Sequence, residues 1–520
     1  MARRVLLVGL DSADAELIER WADAGHLPTF AALRREGLWA RLGTTAEVMH
    51  VSAWPTIYTG TTPGRHGLYH AYQVRAGDQR IQRTRADWLA QPPFWQQLDA
   101  AGRRCIVLDA FMTAPVPGFG GIQLHEYGTW TWFGEPASTP SALHADVVRR
   151  FGRYPAPEHM QVTSVPSDLR AFRDKLLAGV AKKSEMTRWF MREHAWDLLF
   201  VTFGEPHGAG HYLWHAEDAA YPSHAKGRTG GMATPVRDVY AAVDRALGEL
   251  LDAAGDETTV LVASGDGMGP NYSATQHVPT MLGRMGLLHT QAAGTGRPSL
   301  TKRLRAMLPL PVRQSITRCL PKKYQHGLAT GWMNSGTDWT RTRAFLIPNS
   351  NEAYIRVNLT GREPEGIVAP QADYDALLQR IAAEMRAASN PANGELAAER
   401  VTLMDEVYPG GERPHLPDLV VSWRNEARVL NDLQAPACGH VHGPAGHETS
   451  PFYTGNHRAL AFVAARGPTV TAGSTLAGGH ILDIPATILA LLGVDAPAWY
   501  EGRVWTSLLA PQATPVAAIV

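Results

Sequence analysis

The sequence predicts an α/β fold in which a central, mostly parallel β-sheet is sandwiched between helices. Short runs rich in valine, leucine and isoleucine alternate along the chain with longer segments of helical periodicity. Several of these runs are apolar at consecutive positions, which is typical of strands buried on both faces of a sheet. Polar and glycine-rich segments follow several runs directly, as expected at the carboxyl ends of parallel strands, where ligands bind.

The predicted elements follow one another in a regular order. RVLLVGLD predicts a first buried strand, and ADAELIERWADAGHLPTFAALRREG predicts a helix with a proline break. Further strands are predicted in RCIVLDA, WDLLFVTFGE, TTVLVASGDG, DLVVSW and LAFVAARG, and helices in PVRDVYAAVDRALGELLDAAG and YDALLQRIAAEMRAAS. Residues 112–180 are rich in proline, glycine and tryptophan, and residues 285–335 carry a basic, proline-broken stretch. We therefore expect residues 1–520 to form one domain, with an inserted cap segment at 112–180 and a helical insertion at 285–335.

Composition narrows the classes of partner. The 520 residues carry a formal net charge of zero, which implies no general attraction to nucleic acid or to an anionic membrane. The three cysteines, Cys105, Cys319 and Cys438, are widely spaced, which favours a reducing compartment. No stretch reaches the roughly 18 consecutive apolar residues that a membrane-spanning helix needs. We expect a cytoplasmic protein that binds a small anionic molecule; the oligomeric state stays open.

Five polar residues stand near the ends of predicted strands. Asp11 ends the first strand, and the segment EPHGAGHYLWH places His207 and His211 four residues apart, a spacing common among metal ligands. Asp266 lies in the glycine-rich segment SGDGMGP, and His457 lies in the polar turn TGNHR. Each residue alone has an ordinary structural explanation, such as a helix N-cap or a hydrogen-bonded core histidine. Together they are expected to meet at one edge of the sheet.

Their order and spacing resemble the alkaline phosphatase superfamily, and most closely its branch of type I phosphodiesterases and nucleotide pyrophosphatases. The resemblance runs through VLLVGLDSAD, WPTIYTGTTPGRHGLY, VLVASGDGMGP, AYIRVNLTGREPEGIV, LPDLVVSW, TGNHRALAFVAARGP and ILDIPATILALLGVDAPAWYEGRV. It implies an enzyme with two divalent metal ions at the carboxyl ends of the central sheet. It also implies a threonine, serine or cysteine nucleophile at a helix N-terminus between the two ions.

Several positions depart from the superfamily pattern. Three residues match its metal ligands, namely Asp11, His211 and His457. His207 stands where the pattern has an aspartate, and Gly265 and Asp266 replace an aspartate and a histidine. His50, nine residues before Thr59, occupies the position of the nucleophile. Because most substitutions introduce other ligating residue types, they favour a re-specified metal site over a decayed one.

The resemblance then implies two ligand sets. One set comprises His207, His211 and His457, and the other comprises Asp11, Asp266 and His50. Imidazoles in place of a carboxylate and an alkoxide favour a transition metal, zinc first with iron or manganese as alternatives, over magnesium or calcium. Because fewer carboxylates are present to hold two dications close together, the number of bound ions, one or two, stays open.

The catalytic role of His50 also stays open at this point. An imidazole can ligate a metal, form a phosphohistidine or act as a general base or acid, or it can be purely structural. Ser52 is a candidate for a displaced nucleophile, and a water activated by the metal is the remaining attacking group. Asn271 and Arg458 are candidates for contacts to the developing oxyanion.

The first functional hypothesis is a metal-dependent hydrolase or transferase that acts on a phosphate, phosphonate or sulfate ester. A second hypothesis is non-hydrolytic chemistry on the same fold, such as an iron-dependent oxidative or lyase reaction. A third is a non-catalytic homologue that binds a metal for structure. The identity of the bound metal and turnover of an ester panel would separate these three.

Overall fold

The computed structural model describes most of the chain. The described residues are 4–128, 136–156, 168–224, 232–291, 327, 330–331, 333–349, 351–409, 414–429, 431–443 and 453–509. Most of the predicted insertion at 285–335, including its basic stretch, lies outside them.

The strands of the described residues are labelled in chain order. They are β1 (Arg4–Leu10), β2 (Leu38–Leu42), β3 (Tyr72–Val74), β4 (Ile81–Arg83), β5 (Cys105–Leu108), β6 (Ile122–His125), β7 (Ala137–Thr139), β8 (Leu198–Phe203), β9 (Thr258–Ser264), β10 (Gly267–Pro270), β11 (Ala344–Ile347), β12 (Ala353–Val357), β13 (Ala398–Leu403), β14 (Leu419–Trp423), β15 (Asp432–Ala435), β16 (Gly439–His442), β17 (Gly455–Arg458) and β18 (Ala461–Arg466).

The α-helices are labelled in the same way. They are α1 (Ala15–Asp23), α2 (Pro28–Glu36), α3 (Ala53–Thr59), α4 (Pro63–His66), α5 (Phe94–Ala100), α6 (Leu143–Phe151), α7 (Leu169–Glu193), α8 (Glu205–Glu217), α9 (Pro235–Ala254), α10 (Val278–Arg284), α11 (Ala372–Ala387), α12 (Met404–Val407) and α13 (Asp483–Leu491). Short 3₁₀ turns lie at Thr45–Glu47, His50–Ser52, Ala86–Trp88, Thr275–His277, Asn425–Ala427 and Thr506–Leu508.

An eight-stranded sheet forms the centre of the molecule, with the order β2-β18-β9-β1-β8-β5-β6-β7. The five inner strands β9, β1, β8, β5 and β6 are parallel, whereas β18, β2 and β7 run antiparallel to their neighbours. Successive residues of β1 enter two different cores. Leu6 and Val8 pack with α1, α2, α7, α8 and α9, whereas Val5 and Leu7 pack with α3, α5 and α13. The predicted parallel sheet between two helical layers is confirmed.

A second, antiparallel sheet has the order β11-β12-β14-β13. It packs with α10, α11 and the β15–β16 hairpin around a core of its own. The predicted strand DLVVSW is β14 and belongs to this sheet. Within the described residues, no helix is both long enough and apolar enough to span a membrane.

The segment 112–180, predicted as an inserted cap, contributes strands to the central sheet. Its described residues include β6 and β7, which extend the central sheet at one edge, and the start of α7, which packs on that sheet. These strands are only four and three residues long, so they carry too few residues for the sequence pattern of a buried strand. The aromatic residues between them, 129–135, lie outside the described residues.

Candidate metal centre

The carboxyl ends of β1, β8 and β9 place the predicted residues at one edge of the sheet. Asp11 follows β1 directly, and Asp266 lies between β9 and β10. Helix α8 begins directly after β8 and carries His207 and His211 one turn apart. Strand β17 pairs with β10, and this pairing sets His457 opposite Met268. Four segments that are distant in sequence therefore converge here.

Three histidines, His207, His211 and His457, form the centre of the site. Their ring centroids are separated by 4.5 Å, 4.7 Å and 5.0 Å, and each ring offers one ligand atom within 4.8 Å of the others. Burial, together with the neighbouring histidines, lowers the pKa of His211 and of His457 well below the ordinary value. Both rings are therefore neutral at physiological pH, which is the state that binds a metal.

Two aspartates hold two of these rings through Nδ1. The Nδ1 atom of His207 lies 2.7 Å from Oδ2 of Asp11, and the Nδ1 atom of His457 lies 2.7 Å from Oδ2 of Asp266. A carboxylate that fixes the outer nitrogen of a metal-binding histidine orients the ring and raises its basicity. This arrangement leaves Nε2 as the ligand atom of both rings.

A backbone carbonyl holds the third ring. The Nδ1 atom of His211 donates to the carbonyl oxygen of Gly455 over 2.9 Å, and Tyr453 stacks on the imidazole with centroids 4.0 Å apart. Since a carbonyl oxygen only accepts hydrogen bonds, Nδ1 of His211 carries the proton and Nε2 has a free lone pair. All three rings thus present the same nitrogen to the centre.

The second predicted ligand set is arranged differently. Asp11, Asp266 and His50 do not form a metal-binding group in the described part of the chain. The other oxygen of Asp11 accepts a hydrogen bond from the Trp54 indole over 2.8 Å. Burial, and next the charge of Asp11, raise the pKa of Asp266 well above its usual value. Each of the two carboxyl groups contacts a histidine ring, and with His50 they form no separate cage among the described residues.

Gly265 has no room for the aspartate of the superfamily pattern. A Cβ atom on Gly265 would lie 2.7 Å from Cβ of Ala53, at the start of α3, and 3.2 Å from Cδ1 of Ile57. Carbon atoms in contact normally lie about 3.5 to 4.0 Å apart. Packing of α3 against the end of β9 has therefore replaced a potential metal ligand.

His50 lies beside the three histidines, in the turn that precedes α3. Its ring stacks on His457 with centroids 4.0 Å apart and an interplanar angle of 23°. Its Nδ1 atom lies 2.8 Å from Oε2 of Glu352, and both side chains are buried. His50 is not among the residues whose ligand atoms lie within 4.8 Å of one another.

Ser52, the other candidate nucleophile, is engaged in hydrogen bonds within its own turn. The Ser52 hydroxyl is fully buried and lies 2.6 Å from the carbonyl oxygen of Met49 and 2.8 Å from Oγ1 of Thr45. These contacts close the turn in front of α3. The structure thus gives Ser52 a role in shaping the turn that carries His50.

Asn271 and Arg458, the two predicted oxyanion contacts, support the surrounding structure. The Asn271 amide donates to the carbonyl of Tyr453 over 2.9 Å, so it ties β10 to the segment before β17. Arg458 makes two hydrogen bonds to Asp14, of 2.7 Å and 2.8 Å, and a third to Glu16 of 2.6 Å. The guanidinium of Arg458 is therefore engaged by two carboxylates at the start of α1.

Sequence reasoning missed two residues of the site. Ser12 has a left-handed backbone with φ of 52°, and its hydroxyl lies 3.2 Å from Nδ1 of His457 and 3.3 Å from Oδ2 of Asp266. A non-glycine residue in this conformation directly after a strand is often a mark of a functional site. Glu352 precedes β12 of the second sheet, so the rule for the ends of parallel strands does not point to it.

Residues 5–445 match the family model described as type I phosphodiesterase / nucleotide pyrophosphatase. The chain belongs to this family. The resemblance to the alkaline phosphatase superfamily is thereby confirmed, and no curated protein matches the sequence significantly.

Solved structures of 12–14% sequence identity are similar to this family member over most of the chain. Phosphonoacetate hydrolase from Sinorhizobium meliloti 1021, in complex with phosphonoacetate, is 14% identical, covers 95% of this chain and 96% of its own, and has a TM-score of 0.50. A variant of alkaline phosphatase PafA is 12% identical, covers 97% and 99%, and has a TM-score of 0.50. The inactive murine ectonucleotide pyrophosphatase / phosphodiesterase 5 with AMP is 14% identical, covers 95% and 96%, and has a TM-score of 0.47.

The donor set of this type I phosphodiesterase family member fits one transition-metal ion at the three histidines. Their neutral imidazoles and fixed Nδ1 atoms are what such an ion requires. The donor set does not fit a second ion of the kind the superfamily implies. Asp11 and Asp266 hold histidine rings, Gly265 supplies no donor, and His50 forms no metal-binding group with the two aspartates among the described residues.

Proposed function

We propose that this chain is a metal-dependent hydrolase or transferase that acts on a phosphate, phosphonate or sulfate ester. One ion, held by His207, His211 and His457, would neutralise the non-bridging oxygens of the ester and orient it. Zinc is the expected ion because imidazole suits it, and iron and manganese are the alternatives. We further propose that the protein works in the cytoplasm on a small anionic molecule.

The observation that supports this proposal is the group of three histidines at the carboxyl edge of the sheet. Each ring is held at Nδ1 by an acceptor from a different segment, so the group is built before any ion binds. Histidines that serve only to fill a core have no need to bring one ligand atom each to within 4.8 Å of the others. Family membership supports an ester of phosphorus as the substrate class.

The attacking group in this proposal is water. His50 replaces the hydroxyl nucleophile of the superfamily pattern, and the Ser52 hydroxyl is engaged by Met49 and Thr45. Asp11 and Asp266 hold the rings of His207 and His457. The chain's own residues therefore bind, orient and desolvate the ester.

Metal analysis combined with an ester panel tests the proposal. Protein purified without added metal is desalted, its tightly bound metal is measured, and turnover of phosphate mono- and diesters, a phosphonate and a sulfate is assayed. We expect one tightly bound ion and hydrolysis of at least one ester, both lost in His211→Ala. His125→Gln changes a buried histidine that bonds Thr113 outside the site, and should keep both.

Two outcomes would overturn the proposal. If the purified protein contained no tightly bound transition metal, the proposed metal-dependent activity would have no basis. Stoichiometric iron without turnover of any ester would favour the oxidative or lyase alternative, and another metal without turnover would favour a non-catalytic homologue.

A further inference from the structure

Glu352 reaches the candidate centre from a part of the fold that does not supply the three histidines. It lies directly before β12 in the antiparallel sheet, 302 positions from His50. Its relative exposure is 4%, and its carboxylate contacts the ring that replaces the superfamily nucleophile. We infer that Glu352 is a positioning residue that presents Nε2 of His50 to the water attacking the ester.

The surroundings of Glu352 define its hydrogen-bonding state. Besides His50, the Asn349 amide lies 3.0 Å from Oε2, the Asn351 amide 3.1 Å from Oε1, and the Tyr354 hydroxyl 3.2 Å from Oε2. All three are able to donate, so the carboxylate is surrounded by donors and acts as an acceptor. The proton between His50 and Glu352 therefore sits on Nδ1, which leaves the lone pair of His50 on Nε2.

The neighbours of His50 restrict how its ring lies. The ring stacks on His457 at 4.0 Å, and His457 is itself held by Asp266. The Asn351 amide connects Glu352 with the backbone of His457, since it lies 3.1 Å from Oε1 of Glu352 and 3.4 Å from the carbonyl oxygen of His457. Stacking on His457 fixes the plane of the His50 ring, and the contact with Glu352 fixes how the ring is rotated within that plane.

This inference rests on the proposed function and gives His50 its role within it. The water oxygen forms the new bond to phosphorus or sulfur, and the water proton passes to Nε2 of His50. The ester bond to the leaving oxygen breaks, its electron pair stays on that oxygen, which takes up a proton from the solvent, and the protonated His50 releases its proton to the solvent. General-base help of this kind contributes about 10²- to 10⁴-fold to rate.

Four variants test the pair: Glu352→Gln, Glu352→Asp, His50→Ala and the double variant Glu352→Gln/His50→Ala. Glu384→Gln is the matched control, because Glu384 in helix α11 is also buried but its carboxylate contacts Ala437 and Cys438 instead of a histidine. We expect Glu352→Gln and His50→Ala to lower kcat by about 10²-fold or more, with KM and bound metal unchanged. The double variant should lose no more than His50→Ala, because residues that act as a unit are not additive. Glu352→Asp should recover part of the rate.

A spectroscopic measurement tests the pair without turnover. Long-range ¹⁵N–¹H correlation spectra should show His50 protonated at Nδ1 in the wild type and as a mixture of tautomers in Glu352→Ala. Additive loss in the double variant, wild-type kcat in Glu352→Gln, or a wild-type His50 ring protonated at Nε2 would overturn the inference. Loss of metal from His50→Ala would make His50 a ligand instead. A wild type that turns over no ester would refute the proposed function, while the tautomer would still test the pairing.

A separate observation concerns the β15–β16 hairpin, which packs on the core of the second sheet. Asp432 pairs in register with His442, whose Nδ1 atom lies 2.7 Å from Oδ1 of Asp432. The His440 ring lies 3.7 Å from the same oxygen and 4.2 Å, centroid to centroid, from the His442 ring. The two histidines flank Val441, which is fully buried, so both rings project from the solvent face of the hairpin.

The geometry points to a peripheral site for a divalent transition metal such as zinc. The three side chains offer ligand atoms within 4.8 Å of one another. Two imidazoles and one carboxylate are a common donor set for zinc, and water would complete the coordination. The buried side chains of Leu433 and Val441 fix the hairpin on the core of the second sheet, so the three donors are held in place before binding.

Zinc titration of the desalted holoprotein by calorimetry tests this site. We expect one binding event beyond the tightly bound ion, lost in His440→Ala/His442→Ala and retained in His211→Ala. His289→Ala, which removes another histidine of the described surface, serves as the control and should keep the event. Ester turnover should be unchanged in the hairpin variant. An unchanged titration in the hairpin variant, or a wild type without the additional event, would overturn this inference.

Discussion

Introducing a side chain at Gly265 perturbs the point where this site departs from its superfamily. The 2.7 Å separation between a Cβ on Gly265 and Cβ of Ala53 is about 0.8 Å shorter than a normal carbon contact of ~3.5 Å. The end of the Ile57 side chain can rotate away, but Cβ of Ala53 is fixed to the backbone of α3. The start of α3 must therefore move, and with it Trp54, which donates to Asp11.

Overpacking of this kind costs about 1–3 kcal/mol. We expect Gly265→Ala to lower the free energy of unfolding by that amount, and Gly265→Asp to lower it at least as much because its carboxylate is also buried. Ala53→Gly removes the methyl group that would be contacted. The double variant Gly265→Ala/Ala53→Gly should therefore be more stable than the sum of the single changes predicts, by about 1 kcal/mol or more.

Urea unfolding of the metal-loaded protein, followed by tryptophan fluorescence, measures these differences. Gly283→Ala is the control, because a Cβ there would meet its nearest neighbour, the carbonyl oxygen of Leu288, only at 3.8 Å. Metal analysis of Gly265→Asp should find no second tightly bound ion. A fully stable Gly265→Ala, or a stable Gly265→Asp that takes up a second ion, would refute the packing argument.

Three further predictions concern stability. Removing the metal with a chelator should abolish ester turnover and lower Tm, because the ion binds only the folded state; calorimetry with and without chelator measures this. Lys183→Met should cost about 3–5 kcal/mol in urea unfolding, since it leaves Asp109 and Glu205, both 3.6 Å from the ammonium, without their buried cation. Burial lowers the pKa of His66 to about 3, so between pH 3 and pH 6.5 the unfolded state binds one more proton than the folded state. The free energy of unfolding should therefore fall as the pH falls through this range. His66→Gln should flatten that slope in unfolding experiments from pH 4 to pH 7.

The central sheet was predictable because its inner strands are buried on both faces. A continuous apolar run such as that of β1 is typical of a strand buried on both faces of a sheet. The segments of helical periodicity beside it form the helices that cover the two faces. Strands β6 and β7 escaped prediction since they are short and lie at an edge. The place of β6 in the sheet is set by its pairing with β5, and that of β7 by its pairing with β6, which are properties of the fold rather than of their own residues.

The location of the candidate site was predictable for a related reason. Parallel strands send their carboxyl ends to one edge, so Asp11, Asp266 and the histidines of α8 could be expected to meet. Which of these groups faces a metal and which holds a neighbour depends on ring rotations and on the packing of α3. The spacing of residues in the sequence does not encode ring rotations or helix packing. At position 265, for example, the glycine in place of the superfamily aspartate is explained only by the contact that a Cβ atom would make with Ala53.

The contact between His50 and Glu352 shows that the altered positions form a coupled set. A buried imidazole whose Nδ1 has no acceptor carries the desolvation penalty of an unmade hydrogen bond, about 1–3 kcal/mol. Here His207 has Asp11, His457 has Asp266 and His50 has Glu352. A site that had merely lost its nucleophile would gain nothing from a buried carboxylate brought in by a second sheet. The acceptor opposite each ring is instead what the proposed metal centre would require, because such an acceptor fixes the tautomer and the orientation of the imidazole.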